Sequence, residues 1–208
     1  MITDTLVKIS TAVILTIGQL TTPLVPDNVL ASHEISLEKR YYPVQKENIL
    51  LNLTYMDGRV TKKEDINWDQ ISKPFTYEFN LEPGKTFAFH DDVLDQYKQS
   101  LVKTTKAHFN AQEGFKADGY LFGDGVCHLA SLIYWVAKEA GLEAVAPTNH
   151  NFMEIPEIAR EYGVSIYNNP ASYGSNAQQN LYVTNNKEKT ITFKFAYDGT
   201  NLKVTVLE

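Results

Sequence analysis

The residues best suited to covalent chemistry in this sequence are its only cysteine, Cys127, and a histidine that follows it, His150. A thiolate can attack a peptide carbonyl, and an imidazole can remove the thiol proton and return it to the leaving group. A glycine-rich turn and an apolar helical pattern surround Cys127, so we expect it in the first turn of a helix. The unpaired N–H groups there favour a thiolate and a lowered pKa. The pair therefore predicts cysteine-dependent amide hydrolysis or transfer, with the two side chains in contact.

The element that must position the cysteine is a helix predicted over residues 126–140, where apolar residues recur at helical spacing. Asp124 is expected to be its N-cap, and Gly141 the residue that ends it. Residues 142–146 then predict a short strand, which returns the chain and brings His150 towards the start of the helix.

Five further residues are expected to support the pair. Gly125 and Val126 supply the first N–H groups of the helix, which are candidate donors to an oxyanion. Asn149 and Asn151 flank the histidine and could orient its ring. His128 is adjacent to the cysteine but projects about a hundred degrees away on a helix, so we expect it in solvent or in a contact outside the reacting centre.

Composition excludes several classes of protein. The length of 208 residues suits one globular domain with a modest extension, and a formal charge of -6 gives no basic surface for nucleic acid. One cysteine cannot form an internal disulfide, and no CxxC or histidine-rich tract indicates zinc. A metal site made of Cys127, His150 and His90 lacks ligand spacing, so we expect neither a metal nor another cofactor.

The N-terminal residues 1–31 predict a signal peptide or an anchor, because residues 9–25 carry no charge and residues 29–31 (VLA) suit signal cleavage. An ordinary buried helix is the alternative. Export would place the protein at the cell wall, with membrane contact only through this segment. We expect residues 1–31 to be dispensable for folding of the remainder.

The remaining chain divides into an N-terminal arm with a first strand, residues 32–73, and a main domain, residues 74–208. The predicted fold class is α+β, an antiparallel sheet packed by the central helix. Predicted strands are residues 48–56 before the turn at Asp57 and Gly58, residues 74–81, and a C-terminal three-stranded antiparallel meander of residues 181–184, 190–197 and 202–207. Residues 91–103 predict a helix.

Three blocks of the main domain resemble the VanW-like family of bacterial envelope proteins. Residues 82–89 (EPGKTFAF) are similar to its Pro-Gly-x-Thr-Phe block, and residues 119–127 to its Gly-Tyr and Gly-Val-Cys elements. Residues 149–150, followed by residues 179–186, resemble its histidine block and last strand. The resemblance implies a protein of the cell wall, associated with glycopeptide resistance, with peptidoglycan or its peptides as the partner.

The sequence also departs from the family pattern. His128 stands where the family usually has glutamine, and residues 162–166 lack the family's aspartate. An aspartate that orients the histidine would then need a substitute. Two functions therefore stay open: a Cys127/His150 amide hydrolase or transferase, and a non-catalytic module that binds the wall and in which Cys127 only packs.

Overall fold

The computed structural model of the chain describes residues 28–38, 43–119 and 122–208. Within these ranges the protein combines two four-stranded sheets with helices of four to fifteen residues. This confirms the predicted α+β class. The predicted signal peptide or anchor lies outside the described residues, except for residues 28–31, where the first strand begins.

The first sheet is antiparallel and contains the long strands. In spatial order they are β1 (Val29–Ser36), β8 (Asn201–Leu207), β7 (Ile191–Tyr197) and β2 (Phe75–Leu81). Alternate side chains of β7 and β8 are fully buried, as the two-residue period of a strand requires. The predicted strand at residues 74–81 and the hairpin of the last two strands are therefore confirmed.

The second sheet is made of strands of only three residues. Its spatial order is β4 (Leu101–Lys103), β3 (Thr86–Ala88), β6 (Tyr182–Thr184) and β5 (Glu143–Val145). The β3–β4 pair is parallel and the other two pairs are antiparallel. The predicted strand at residues 142–146 is confirmed as β5.

The predicted three-stranded meander is wrong in its first strand, because β6 pairs with β3 and β5 in the second sheet and not with β7. The connection after β6 crosses between the sheets. Asn185 holds that crossing, since its amide donates to the carbonyls of Leu81 and Lys189, both at 2.8 Å. β6 therefore pairs with strands that are distant in sequence, although its position before β7 is typical of a hairpin.

The predicted arm and first strand of residues 32–73 are also corrected. The arm is β1, which pairs with β8 from Ser36 opposite Asn201 to Val29 opposite Leu207. Its polar residues take part in packing: the His33 ring stacks on Trp135 with 3.5 Å between centroids. Because β1 is an edge strand that packs through polar side chains, its sequence lacks the alternation of apolar and polar residues that predicts a strand.

Residues 48–56, predicted as a strand, lie inside α1 (Pro43–Asp57). Ten consecutive or near-consecutive residues of α1 are buried, so the helix is covered on nearly every side and shows no apolar stripe. Pro43 occupies the first helical position, where the missing N–H costs nothing. The predicted turn at Asp57 and Gly58 is the end of this helix.

Residues 91–103, predicted as a helix, form a 3₁₀ turn (Asp95–Tyr97) followed by β4. The apolar residues that suggested a helix are used differently: the Tyr97 ring stacks on Tyr182 at 4.2 Å between centroids. Short helical elements complete the described residues, namely α2 (Trp68–Ile71), α4 (Tyr173–Gln178) and 3₁₀ turns at Lys63–Asp65, Ala111–Glu113 and Arg160–Tyr162.

The central helix α3 (Val126–Glu139) confirms the prediction for residues 126–140. It packs on β1 and β8 of the first sheet, on β5 of the second, and on α1. The helix stops at Gly141 as predicted, with N–H groups of Gly141 and Leu142 bonded back to carbonyls of Lys138 and Ala137. Because α3 touches both sheets, its first turn is held at their junction.

Candidate functional site

A cavity of about 570 Å³ opens at the first turn of α3, and we call it the Cys127 cavity. It brings together Cys127, His128 and His150, three of the residues that the sequence singled out. Its volume lies in the range of ligand-binding clefts. The walls come from the start of α1, the 108–110 loop, the turn before α3, and loop residues on the C-terminal side of β5: Gln45, His108, Phe109, Asn110, Asp118, residues 122–128, His150, Phe152, Met153, residues 165–168, Pro170 and Gln179.

The turn that starts α3 is fixed by α1. Gly125 is the N-cap residue, in the left-handed region at φ 98°, so the predicted Asp124 cap is wrong. A Cβ on Gly125 would lie 2.6 Å from the carbonyl oxygen of Gln45, which is closer than any side chain tolerates. Asn48 also connects α1 to this turn, because its side-chain amide donates to the Asp124 carbonyl at 2.9 Å. The close approach of α1, absent from the sequence pattern, therefore decides which residue begins the helix.

Asp124 has its own role at the cavity wall. Its carboxylate accepts the N–H of Asp118 at 3.2 Å. Burial raises the pKa of Asp124, and the neighbouring Asp118 carboxyl raises it further. Val126, predicted as an oxyanion donor, uses its N–H to bond the Gly123 carbonyl at 3.0 Å. That donor is committed within the protein.

Cys127 is half-buried, and its thiol is bonded to one residue of the opposite wall. The thiol donates to the carbonyl of Ile166 at 3.5 Å and accepts the N–H of the same residue at 3.4 Å. Burial raises the pKa of Cys127 to about 11, against the pull of the Ile166 N–H. The predicted lowering is therefore wrong, because desolvation of the sulfur outweighs the N-terminal end of the helix.

The same wall shows a structural role for the thiol. Ser131, one turn along α3, accepts the N–H of Val164 at 2.9 Å and donates to the Cys127 carbonyl at 2.7 Å. Two helix side chains thus satisfy alternate N–H groups of one extended segment, residues 163–167. The other edge of that segment bonds residues 148–150, through Ser165 N–H to the Thr148 carbonyl at 3.0 Å. Residues 163–166 are buried, and the segment is extended without belonging to either sheet.

His150 is 6% exposed and has one defined tautomer. Its Nδ1 lies 3.0 Å from the Met153 carbonyl, which can only accept, so Nδ1 carries the hydrogen and Nε2 the lone pair. Burial lowers the pKa of His150, which keeps the ring neutral near pH 7. The polar bonds of the two residues go to different partners, Met153 for His150 and Ile166 for Cys127. The Cys127–His150 dyad therefore stays a prediction.

His128 differs from its expectation. It is 3% exposed and lines the same cavity as Cys127, although it projects from another side of α3. The cavity borders more than one side of the first turn of α3, so two adjacent residues both line it. Because His108 also lines the cavity, three histidines accompany the thiol there.

Asn149 and Asn151 do not orient the histidine ring. The Asn149 amide donates to the Arg160 carbonyl at 3.1 Å, and Asn151 is exposed to solvent. Neither residue lines the cavity. The orienting group is the Met153 main-chain carbonyl, for which a sequence carries no signal. Gln45 was also missed, because it lies in the segment that was predicted as an arm.

A buried network supports the far wall. His90, fully buried, accepts the Asp92 N–H at Nδ1 (2.9 Å) and therefore donates from Nε2 to Asn168 (3.3 Å). Asn168 in turn donates to the His108 carbonyl at 2.8 Å. Burial lowers the pKa of His90, which keeps it neutral. Among the described residues no cluster of three or more His, Cys, Asp or Glu could hold a metal ion.

The rim of the cavity is apolar, whereas its charged groups are acidic. Phe122, Phe152, Met153 and Tyr167 line it and are nonetheless exposed, with Phe152 at 72%. Exposed large apolar side chains grouped around a cleft are typical of a ligand site. Among the described residues that line the cavity there is no lysine or arginine.

Comparison with known proteins gives one result. The model of a family described as VanW like protein matches residues 76–207, which is more than half of the chain. Neither the curated proteins nor the solved structures contain a match to the chain. In the part of the chain that the structure describes, no helix is long and apolar enough to cross a membrane.

Proposed function

The chain belongs to the VanW-like family, which is associated with glycopeptide resistance, and we propose that it is a cell-envelope protein that binds the peptide part of peptidoglycan in the Cys127 cavity. The carrying observation is the cavity itself, in which an exposed apolar rim surrounds buried polar groups at the start of α3. Residues 1–31 would direct the protein out of the cytoplasm, as a signal peptide or an anchor.

The geometry suits a short peptide. Phe152 lies against the His150 ring at 4.0 Å between centroids, so the apolar rim continues directly into the polar interior. An aliphatic side chain of a peptide would contact the rim, while its amide groups reach the interior. Small-ligand sites combine these two elements in the same way.

The state of the thiol favours binding over catalysis in the resting protein. With a pKa of about 11, the thiolate fraction of Cys127 at pH 7 is on the order of one in ten thousand. The thiol also bonds Ile166 in both directions and so stabilises a wall of the cavity. These contacts explain a cysteine at this position without requiring a reaction.

A Cys127/His150 amide hydrolase or transferase is the second candidate, favoured by the tautomer of His150. Its Nε2 lone pair could accept the Cys127 proton while the sulfur attacks a carbonyl carbon. The same proton would then pass to the leaving nitrogen, and the thioester would be cleaved by water or by a second amine. The Met153 carbonyl would orient the ring in place of the missing aspartate.

Titration with a soluble peptidoglycan stem peptide, followed by calorimetry, tests the binding proposal. We expect saturable binding by the full chain, and loss of about tenfold in affinity for Phe152→Ala because its ring forms the rim. Tyr173→Ala is the matched control, since Tyr173 is equally exposed but lines a different cavity. No binding, or equal losses in both variants, would contradict the proposal.

Intact-protein mass spectrometry separates the two candidates. The binding module predicts an unchanged mass after incubation with the stem peptide, in the wild type and in Cys127→Ala alike. A covalent acyl adduct on the wild type, absent from Cys127→Ala and reduced in His150→Ala, would establish the enzyme instead.

A further inference from the structure

At the end of the Cys127 cavity where α1 meets the turn before α3, one lining residue, Gln45, has an unusual side-chain amide. Gln45 lines the cavity, is only 3% exposed, and its Oε1 is buried without a hydrogen-bond partner. A buried carbonyl oxygen without a donor is unfavourable, and most such groups in folded proteins are satisfied. Gln45 cannot withdraw as a unit, because its main chain packs against Gly125.

Two carboxyl groups also line the cavity on this side, just before the start of α3. Asp118 and Asp124 both line it, and they are linked by the Asp118 N–H bond to the Asp124 carboxylate. α1 lies beside them, since Asn48 donates to the Asp124 carbonyl. The Gln45 carbonyl oxygen and the carboxyl oxygens are hydrogen-bond acceptors, so these groups together favour a ligand with several donors.

No free cationic side chain among the described residues that line the cavity pairs with these acceptors. No lysine or arginine of the described residues lines the cavity. His108 is the histidine whose pKa is raised, and the cause is its bond to the Glu113 carboxylate at 2.8 Å, which already pairs its charge. His150 is kept neutral by its burial. Apart from its histidines, Cys127 and Tyr167, the ionisable side chains that line the cavity are therefore the carboxyls of Asp118 and Asp124.

We propose that this end of the cavity binds a primary ammonium group, which donates hydrogen bonds to Gln45 Oε1 and to the carboxyls of Asp118 and Asp124. The inference rests on the proposed function and specifies its ligand: a peptide with a free side-chain amine, whose aliphatic stem contacts the apolar rim at Phe122 and Phe152. An ammonium supplies three donors and one positive charge, which matches the group of acceptors.

Asn52 shows why Gln45 is selected. It lies on the same face of α1, two turns further along, and both of its amide atoms also lack partners. Asn52 is fully buried and does not line the cavity, so a ligand cannot reach it. It supplies a control variant that removes a buried amide from the same helix without touching the proposed site.

The first experiment uses two small probes, n-pentylamine and n-pentanol, with binding to the full chain followed by NMR at the amides of Gly125 and Cys127. We expect the amine to bind about tenfold more tightly than the alcohol, as a charge-assisted hydrogen bond provides. Gln45→Met and Asp124→Asn should remove this preference, whereas Gln45→Glu should increase it. Equal affinities for the two probes would overturn the inference.

Two control variants guard against a general surface effect. Asn52→Leu removes an amide outside the cavity, and Asp95→Asn removes one exposed acidic charge from a different surface. Both should keep the preference for the amine within about twofold, since the interaction is local. A loss in Asp95→Asn equal to that in Asp124→Asn would assign the effect to net charge and reject the site.

A second pair of ligands separates this inference from the proposed function. A lysine-containing stem peptide is compared with the same peptide acetylated on its side-chain amine. Tighter binding of the free amine supports both proposals. Equal binding of the two peptides retains the peptidoglycan ligand and rejects the ammonium site. Binding of n-pentylamine at the cavity without binding of either peptide retains the ammonium site and rejects the peptidoglycan ligand.

Discussion

The two sheets of this protein are stabilised in different ways. The first sheet has strands of seven and eight residues, antiparallel ladders with one irregularity at the start of β1, and an apolar inner face. The second sheet has strands of three residues, and side chains make the bonds that longer ladders would supply. Many of the buried polar residues lie in this second half or around the cavity, while another group lies on α1. The first group includes Thr86, His90, Thr105, His128, Ser131, His150, Asn180 and Asn185. Regularity stabilises one half, and individual polar contacts stabilise the half that forms the site.

Asn180 is the polar contact with the largest expected effect. Its Oδ1 accepts the N–H groups of His90 and Leu181, and its amide donates to the carbonyls of His90 and Asp92. Asn180→Ala leaves these buried groups unsatisfied and should lower the free energy of unfolding by about 4 kcal/mol. Urea denaturation followed by circular dichroism measures the loss.

Asn80 in the first sheet is the control for Asn180. It makes one exposed bond, to Thr192 at 2.9 Å, so Asn80→Ala should cost less than about 1 kcal/mol. Losses of similar size in the two variants would remove the distinction between the two halves.

Glycines of the two halves give a second comparison. Gly125→Ala combines a strained φ of 98° with a Cβ 2.6 Å from the Gln45 carbonyl oxygen, so we expect a loss of about 3 kcal/mol. Gly199→Ala in the β7–β8 turn has φ 107° but its nearest contact is at 3.8 Å, so only the strain remains, about 1–2 kcal/mol. Thermal and urea melts of the two variants measure the difference, and a larger loss at Gly199 would contradict it.

The same contrast explains what could be predicted from the sequence. The hairpin β7–β8 and the helix α3 were predicted because each shows its own period on one buried face. α1 was missed because it is buried on nearly every side, and the partner of β6 was missed because a three-residue strand carries no information about its neighbour. Elements with one buried face can be predicted from the period of their apolar residues. The short strands of the second sheet and the buried helix α1 have no such period.

In the candidate site, residue types were predicted better than their states. The sequence predicted Cys127 in the first turn of α3 with His150 in contact with it, and expected His128 in solvent or outside the reacting centre. In the structure all three line one cavity. The sequence could not supply the raised pKa of the thiol, since that depends on burial by the 163–167 wall. Nor could it identify the Met153 carbonyl, because any residue offers a carbonyl.

The titration of Cys127 tests the buried wall by pH. Its pKa is about 11 in the folded protein and lower when the chain unfolds, so the folded state holds the proton more tightly. The stabilisation that comes from the Cys127 proton is complete below the unfolded pKa and is lost as pH rises from about 8.5 to 11, by about 3 kcal/mol in total. Cys127→Ala should flatten this part of the stability curve.

Alkylation provides an independent measure of the same thiol. Iodoacetamide should modify native Cys127 at pH 8 about a hundredfold more slowly than a cysteine in a model peptide, because only the thiolate reacts. The rate should rise about tenfold for each pH unit up to pH 11. Rapid modification of the native protein at pH 6.5 would instead indicate a lowered pKa and favour the enzyme.

Asn52→Leu is the change with the smallest expected effect. It tests whether a buried amide contributes to stability when it makes no hydrogen bond. Asn52 is as buried as Asn180, but both of its amide atoms lack partners, so the native state gains no hydrogen bond from it. Leucine has a similar shape and removes the cost of an unsatisfied amide, so unfolding should become harder by about 0–1 kcal/mol. Urea denaturation beside Asn180→Ala measures both on one scale. If Asn52→Leu instead lost several kcal/mol, burial of an amide would matter irrespective of its partners. Buried amides of this protein would then contribute to stability through something other than the hydrogen bonds described above.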